Sequence, residues 1–253
     1  MKYSHCELVS DHFSQRSKCY DTAGTWVKDK DVLQHIGNFL PTNFVEVAVL
    51  DLGSGTGAVS NYLIEQCGVH HVIAVDNCVE MLSRNKSHKA TCVISNVEKL
   101  PFLDESFDCV VSRQCLHYVE EVDKALKEVY RVLKPGGVFV LAQIVPFDND
   151  TKAYWQQITE VHQPLRRWYK SASDWDDVVT GVGLTRKDSA ICSHRSSLKK
   201  WLRKYEISNE AVVEKMRSLL LSADSAYQKI YDINSSDDDI SYLAFWHIAK
   251  YTK

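Results

Sequence analysis

The sequence predicts an α/β protein built on a doubly wound, mostly parallel sheet, and three observations carry that prediction. Apolar runs rich in Val, Ile and Leu recur at residues 47–50, 71–76, 91–94, 106–112 and 138–145, the composition of strands buried on both faces. Helical periodicity separates them, most clearly in Val122, Leu126, Val129 and Leu133, so strands and helices alternate as a parallel sheet with helices on both faces requires. The first run leads straight into Gly53-Ser54-Gly55-Thr56-Gly57. A strand, a glycine turn and a helix in that order bring backbone N–H groups and a positive dipole end to bear on a nucleotide.

With 253 residues and 45% apolar content the chain can bury one large core, and one domain over 1–253 is expected. A net charge of −3 supplies no general attraction for nucleic acid or an anionic membrane, and neither is expected as a partner. The eight cysteines form no C-x-x-C pair and lie in or beside apolar runs, as buried thiols of a reducing compartment do, so neither disulfides nor a metal is expected. Residues 1–10 lack an apolar secretory core and no stretch has the length to span a bilayer, which makes the expected location cytoplasmic.

In chain order, residues 1–28 are polar with Phe13, Tyr20 and Trp26 interspersed, as in an arm folded over a cleft or in a frayed terminus. Asp29 or Asp31 can cap a helix carrying Val32, Ile36, Phe39 and Leu40, which Pro41 ends. After the glycine turn, Val59, Leu63 and Ile64 share a helical face. The strand at 71–76 closes on Asp76, where an acid can accept hydrogen bonds from both hydroxyls of a ribose, or cap the next helix. Met81 and Leu82 can pack on an adenine or belong to the core. The fourth strand is followed by Arg113, Gln114, Cys115, Leu116, His117 and Tyr118, polar groups at the strand end where ligands collect in open α/β sheets. The helix over 122–133 stops at Lys134-Pro135-Gly136-Gly137.

The glycines alone leave two cofactors open, because Gly53, Gly55 and Ala58 also satisfy a dinucleotide fingerprint and would suit NAD. Asp51 suits an α-ammonium group better than a pyrophosphate, and no Ser, Tyr and Lys constellation for hydride transfer stands out. With Asp51 and Gly57 the turn reads D-x-G-x-G-x-G, and here the chain resembles the class I S-adenosylmethionine-dependent methyltransferases. The resemblance extends to Asn96-Val97-Glu98-Lys99-Leu100-Pro101-Phe102, to the S-x-x-x-L-H-Y run at 112–118 and to R-V-L-K-P-G-G at 131–137. It covers roughly residues 45–145, and the overall layout resembles the ubiquinone/menaquinone-biosynthesis and malonyl-carrier-protein methyltransferases, which the segment from Phe13-Ser14 to Tyr20-Asp21 also loosely resembles.

That resemblance implies a Rossmann-like methyltransferase fold of seven strands with the last antiparallel beside the sixth, and a helical insertion covering the substrate. It implies S-adenosyl-L-methionine as donor, S-adenosyl-L-homocysteine as product, and transfer to an O, N, C or S atom of a small organic acceptor. The arm and first helix then occupy 1–40, the cofactor-binding core 45–145, the substrate-covering region with the sixth strand 147–235, and the final strand 240–252. Asp51, Gly53, Ser54, Gly55 and Gly57 are assigned to the methionine end of the donor, Asp76 and Asn77 to the ribose, Met81, Asn96 and Val97 to the adenine, and Arg113 and Gln114 to the methionine side of the mouth. Asn96 replaces the acid that the family uses toward the adenine amino group. Gln114 and His117 border the transferred methyl; His117, with a pKa expected near neutrality, is either a base for a hydroxyl acceptor or a loop anchor.

Residues 151–180 are dense in aromatics (Tyr154, Trp155, Trp168, Tyr169 and Trp175, with His162), suited to enclosing an organic molecule or to packing between helices. A sixth strand is expected over 183–191, a polar helix over 197–205 and one long helix over 210–231 with Val213, Met216, Leu220, Ala223, Tyr227 and Ile230 on one face. Lys199, Lys200, Arg203 and Lys204, with Arg166, Arg167 and Lys170, form either a solvated face or a dock for an acidic partner such as an acyl carrier protein.

Overall fold

The computed structural model describes residues 3–23, 27, 29–41, 46–85, 89–199, 210–236 and 239–253. Its centre is a sheet in the order β3-β2-β1-β4-β5-β8-β6, formed by β1 Ala48–Leu52, β2 His71–Asp76, β3 Thr91–Ile94, β4 Phe107–Arg113, β5 Leu133–Val145, β6 Thr185–Ser197 and β8 Ile240–Thr252. The first five strands run parallel, and β8 lies antiparallel between β5 and β6. An eighth, two-residue strand, β7 Asn234–Ser235, pairs with β8 in addition to the seven expected.

Each face of the sheet carries its own core, as alternation along the strands dictates. On one side Leu50, Leu52, Phe139, Leu141 and Tyr251 meet α6 Val122–Val132 and α8 Ala172–Gly181. On the other Val49, Val111, Val140 and Ile248 meet α3 Lys30–Phe39 and α4 Ala58–Glu65. Asp29 is the cap of α3, accepting from Asp31 N and Val32 N. Two short helices precede it, α1 His5–Arg16 and α2 Tyr20–Ala23, and α5 Val79–Leu82 follows β2. Trp26 lies outside the described residues.

A third cluster joins α7 Asn149–His162, α9 Glu210–Ser222 and α10 Ser225–Ile230 through Trp155, Ile158, Met216, Leu220 and Tyr227. The expected single helix over 210–231 is therefore two, because the Asp224 side chain accepts from Tyr227 N and starts a new helix. The apolar face survives the break, with Met216, Leu220, Ala223 and Tyr227 all buried. The helix expected over 197–205 lies almost wholly outside the described residues. Among those described, no helix is long and apolar enough to cross a membrane.

The Lys134-Pro135-Gly136-Gly137 segment does more than stop a helix. It forms a bulge inside β5, where the pairing with β4 shifts between Phe107 and Cys109, and Lys134 Nζ reaches both oxygens of Asp108 at 2.9 and 2.8 Å. Asp108 in turn accepts from Ala48 N at 2.9 Å, at the start of β1. Arg131 grips the loop after β3: it pairs with Glu128 through two nitrogens (2.7 and 2.8 Å) and donates to the carbonyls of Leu100 and Phe102 and to Asp104. Glu128 also accepts from Leu100 N at 2.8 Å. Arg131→Met should cost about 1 to 3 kcal/mol in chemical denaturation, and hydrogen exchange should accelerate first over residues 98–104; uniform acceleration across the sheet would contradict the clamp.

Candidate functional site

The strand order reverses between β1 and β4, and the turns leaving these strands and β2 open a crevice at their carboxyl ends, where open α/β sheets bind ligands. A cavity of about 940 Å³ fills it. Asp51, Gly53, Ser54, Gly55, Asp76, Asn77, Met81, Asn96, Val97, Arg113 and Gln114 all line this cavity, so eleven of the twelve residues assigned to the donor from sequence come together. Gly57 stands apart: at φ 81° it caps α4, and a Cβ there would lie 2.3 Å from the Asn85 side chain.

The turn is held differently from the expectation of free N–H groups. Gly53 N and Ser54 N donate to Val75 O, Gly57 N donates to Ser54 O, and Gly55 N donates to Asp76 Oδ2 at 2.8 Å. The space beside Gly53 holds Cys115, whose Sγ would sit 2.3 Å from an added Cβ. Asp76 Oδ1 accepts from Cys78 N at 2.9 Å, so this carboxylate ties the glycine turn to the start of α5 and retains further acceptor capacity on each oxygen. Burial pushes its pKa up against these bonds. Asp51 is buried too; its Oδ2 accepts from Ser60 N (3.0 Å) and Ser60 Oγ (2.6 Å), an anion seated on the first turn of α4. Burial raises its pKa to about 6 although Ser60 and Arg113 oppose that. Asn96 Oδ1 accepts from Glu98 N at 2.9 Å and keeps a second lone pair. Ser54 Oγ is buried with no protein partner among the described residues, as a ligand-facing hydroxyl would be.

Helix α1 roofs this cavity. His5 Nε2 bonds Tyr118 O at 2.8 Å and Asn77 Nδ2 contacts Cys6 Sγ at 3.1 Å, while Phe13 meets the edge of Tyr118 at 5.2 Å. Asp21 of α2 accepts from Thr56 Oγ1 in the glycine turn at 2.5 Å, and Arg113 Nη1 donates to Val27 O at 2.8 Å. The arm is thus a lid over a cleft, one of the two forms its aromatics allowed.

A second cavity of about 870 Å³ adjoins the first, and Phe13, Tyr20, Gln114 and Tyr118 belong to the walls of both. Its far wall comes from α7, α9 and α10: Trp155, Ile158, Leu220, Tyr227 and Tyr231. Of the aromatics expected there, Trp155 takes part with His162, whereas Trp175 is a fully buried core residue on α8 and Trp168 Nε1 donates to Val119 O at 2.7 Å. Gln114 sits at the junction of the cavities with φ 54°, a left-handed conformation rare outside glycine, and its Nε2 has no protein partner among the described residues. A strained, polar, unsatisfied residue between two cavities marks a functional position.

Sequence reasoning placed Arg166 in a basic surface cluster; it is buried instead. Its guanidinium donates to Trp168 O, Gln163 Oε1 and Ile144 O, and lies 4.8 Å from the Trp155 ring. Burial lowers its pKa to about 10, which leaves it cationic at neutral pH. No Asp or Glu lines this cavity among the described residues. Burial and the charge of Arg166 also drive His162 down to about 3, and the same causes hold His117 well below its ordinary value. The expected near-neutral pKa of His117 is corrected accordingly: the ring is 1% exposed, its Nδ1 meets Gln143 Oε1 at 2.8 Å, and its Nε2 has no protein partner among the described residues. Arg16 and Gln143 were missed from sequence, although a lone Gln inside the apolar run of β5 was a usable signal, since a buried amide must find partners.

Residues 50–141 match the family model described as a methyltransferase domain. Among curated proteins, the chain is 32% identical over 146 residues to a malonyl-[acyl-carrier protein] O-methyltransferase of Marinomonas sp., a match covering 56% of this chain and 53% of that protein. It is 40% identical over 98 residues to the ubiquinone/menaquinone biosynthesis C-methyltransferase UbiE of Vibrio cholerae, covering 35% of this chain and 38% of that one. These matches span about half or less of the relatives' length. The solved structure of YcgJ from Bacillus subtilis superposes with a TM-score of 0.79 at 22% identity, over 88% of this chain and 98% of that one, a likeness of fold. The fold, the D-x-G-x-G-x-G crevice and these matches agree: residues 50–141 are a methyltransferase domain, and the chain is similar to the class I S-adenosylmethionine-dependent methyltransferases.

Proposed function

We propose that the chain methylates a small acceptor with an apolar or aromatic body and an anionic group, using S-adenosylmethionine held in the first cavity. The observation that carries this reading is the second cavity: it shares a wall with the first, is lined with aromatics, and contains a buried arginine without a carboxylate among its described lining residues. A buried cation whose partners are all neutral keeps its full charge and favours an anion beside it.

The donor fits the first cavity by the chemistry of its ends. Asp51 would meet the α-ammonium and Asp76 the ribose hydroxyls, with Asn77 beside it; Met81, Asn96 and Val97 would surround the adenine, and Ser54, Arg113 and Gln114 would line the methionine end. When bound, the donor supplies a methyl carbon already activated by a sulfonium. This chain's own task is to orient the acceptor and exclude water. Arg166 would anchor the anion, Trp155 and Tyr227 would enclose the body, and Gln114 would define the gap between the cavities. His117, kept neutral, would accept a hydrogen bond at Nε2 from an acceptor O–H or N–H. Residues 45–145 then serve the donor and 147–235 the acceptor within one domain over 1–253.

An acceptor carried on an acyl carrier protein is the narrower form of this reading, supported by the names of relatives that act on malonyl-[acyl-carrier protein]. Arg167 and Lys170 remain half-exposed near the cavity, while Lys200, Arg203 and Lys204 lie outside the described residues. Reversing the charges of Arg167, Lys170 and Lys199 should slow turnover on a carrier-bound acceptor and spare the free one; equal rates on both would remove the carrier protein.

Asp76→Asn should weaken donor binding by about 1.5 to 3 kcal/mol, roughly ten- to a hundredfold in Kd, read by titration calorimetry with the far-UV spectrum unchanged; unaltered affinity would detach this acid from the ribose. Donor affinity should also fall as pH drops through about 6. The protonated Asp51 carboxyl cannot pair with an ammonium, so binding is present above that pKa and lost below it, and Asp51→Asn should flatten the profile. Screening matched carboxylates, phosphates and neutral amides should return methylated product only from the anions, and Arg166→Met should raise the KM for the acceptor while leaving donor Kd unchanged; preferential turnover of the neutral compounds would refute the anionic acceptor.

A further inference from the structure

Gln143 and His247 face each other across β5 and β8 as register partners, so their side chains emerge side by side on one face of the sheet. Both are buried, Gln143 completely and His247 at 2% exposure. Each has one side-chain nitrogen with no protein hydrogen-bond partner among the described residues, Nε2 of Gln143 and Nδ1 of His247. Each also has a partner on its other side. Gln143 Oε1 meets His117 Nδ1 at 2.8 Å, and His247 Nε2 meets Asp176 Oδ1 at 3.2 Å. The two orphaned atoms, on buried side chains in register, make no direct hydrogen bond to one another, so a link between them runs through a water.

The direction of the bonds follows from the Asp176 end. Burial pushes the pKa of this carboxyl up, but hydrogen bonds from His247 and Tyr251 and the charge of Arg186, 2.9 Å from Oδ2, outweigh burial and hold it below its ordinary value. An ionised carboxylate only accepts. In its neutral form His247 therefore carries its proton on Nε2, which leaves Nδ1 an acceptor. The unpartnered amide N–H of Gln143 lies across the strand pair from that acceptor, and Oε1 is the atom turned toward His117. Against a carbonyl oxygen, His117 must hold its proton on Nδ1.

We propose that Asp176, His247 and Gln143 form a directional hydrogen-bonded relay that fixes His117 as the Nδ1–H tautomer, with the Nε2 lone pair presented to the second cavity. The three are positioning residues, since they act through His117, which lines that cavity. The relay adds a requirement to the acceptor: the group lying against His117 is an O–H or N–H donor, while the anion belongs to Arg166. This inference rests on the second cavity being the acceptor site, but the tautomer is a property of the protein alone and is measured without turnover.

The test is long-range 15N NMR of the imidazole nitrogens in the full chain, with the His117 and His247 signals assigned by substituting each in turn. The wild-type spectrum should show His117 protonated at Nδ1 and His247 at Nε2. Gln143→Glu places an acceptor at both ends of the link, so His247 should gain a second proton while His117 keeps its tautomer; Gln143→Met should release His117 into a mixture of tautomers. A side chain that merely filled space would leave His247 unchanged in both variants. Wild-type His117 protonated at Nε2, or His247 at Nδ1, would overturn the relay even if neither variant folds. Failure to methylate any anionic acceptor would instead strike at the proposed function and leave these spectra as they are.

Discussion

Everything in this molecule depends on where the chain changes direction across its sheet. From β1 it builds outward through β2 and β3, then returns to the other side of β1 for β4 and β5. Two neighbouring strands whose exits diverge cannot have their ends covered by the same connection, so the sheet is left open at that point. The main chain there must be thin and tightly tied. Glycines make it thin; Asp51 ties it by accepting from Ser60 N in the helix that follows, and Asp76 by accepting from Gly55 N in the turn itself and from Cys78 N beyond β2. The same acids that would bind a ligand thus also build the turn.

Much of the core was legible because one physical rule governs it. Strands buried on both faces must be apolar throughout, and β2 has the bounds read from sequence, 71–76; β3 also keeps its expected bounds, 91–94, although it is the exposed edge strand. Helix α6 buries Val122, Leu126 and Val129 of the expected stripe and adds Ala125 and Val132, while Leu133, also buried, already belongs to β5. The R-V-L-K-P-G-G ending was recognisable as a pattern, but its Arg and Lys have reasons that only three dimensions supply: Asp104, Asp108 and the carbonyls of 100 and 102, which they bond, lie on other elements.

The covering region was harder to read, for the opposite reason. Charge usually marks solvent, so Arg166 read as surface; its burial is made possible by carbonyls from Trp168 and Ile144 and by the Trp155 face. The continuous apolar period over 210–231 hid the helix start at Asp224, a local signal outweighed by a longer one. Trp175 looked like part of an aromatic enclosure because aromatic density in sequence says nothing of which side of a helix faces the sheet. The first cavity was thus readable from local pattern, whereas the second is an assembly of distant residues.

Four residues, Phe13, Tyr20, Gln114 and Tyr118, are masonry common to both chambers. A ligand that shifts this partition from one chamber changes the other, and thermodynamic reciprocity makes that influence equal in both directions. An affinity measured for the second chamber on the empty protein then differs from the one measured with the first chamber filled, and the ratio between them is the factor by which each occupant alters the grip on the other.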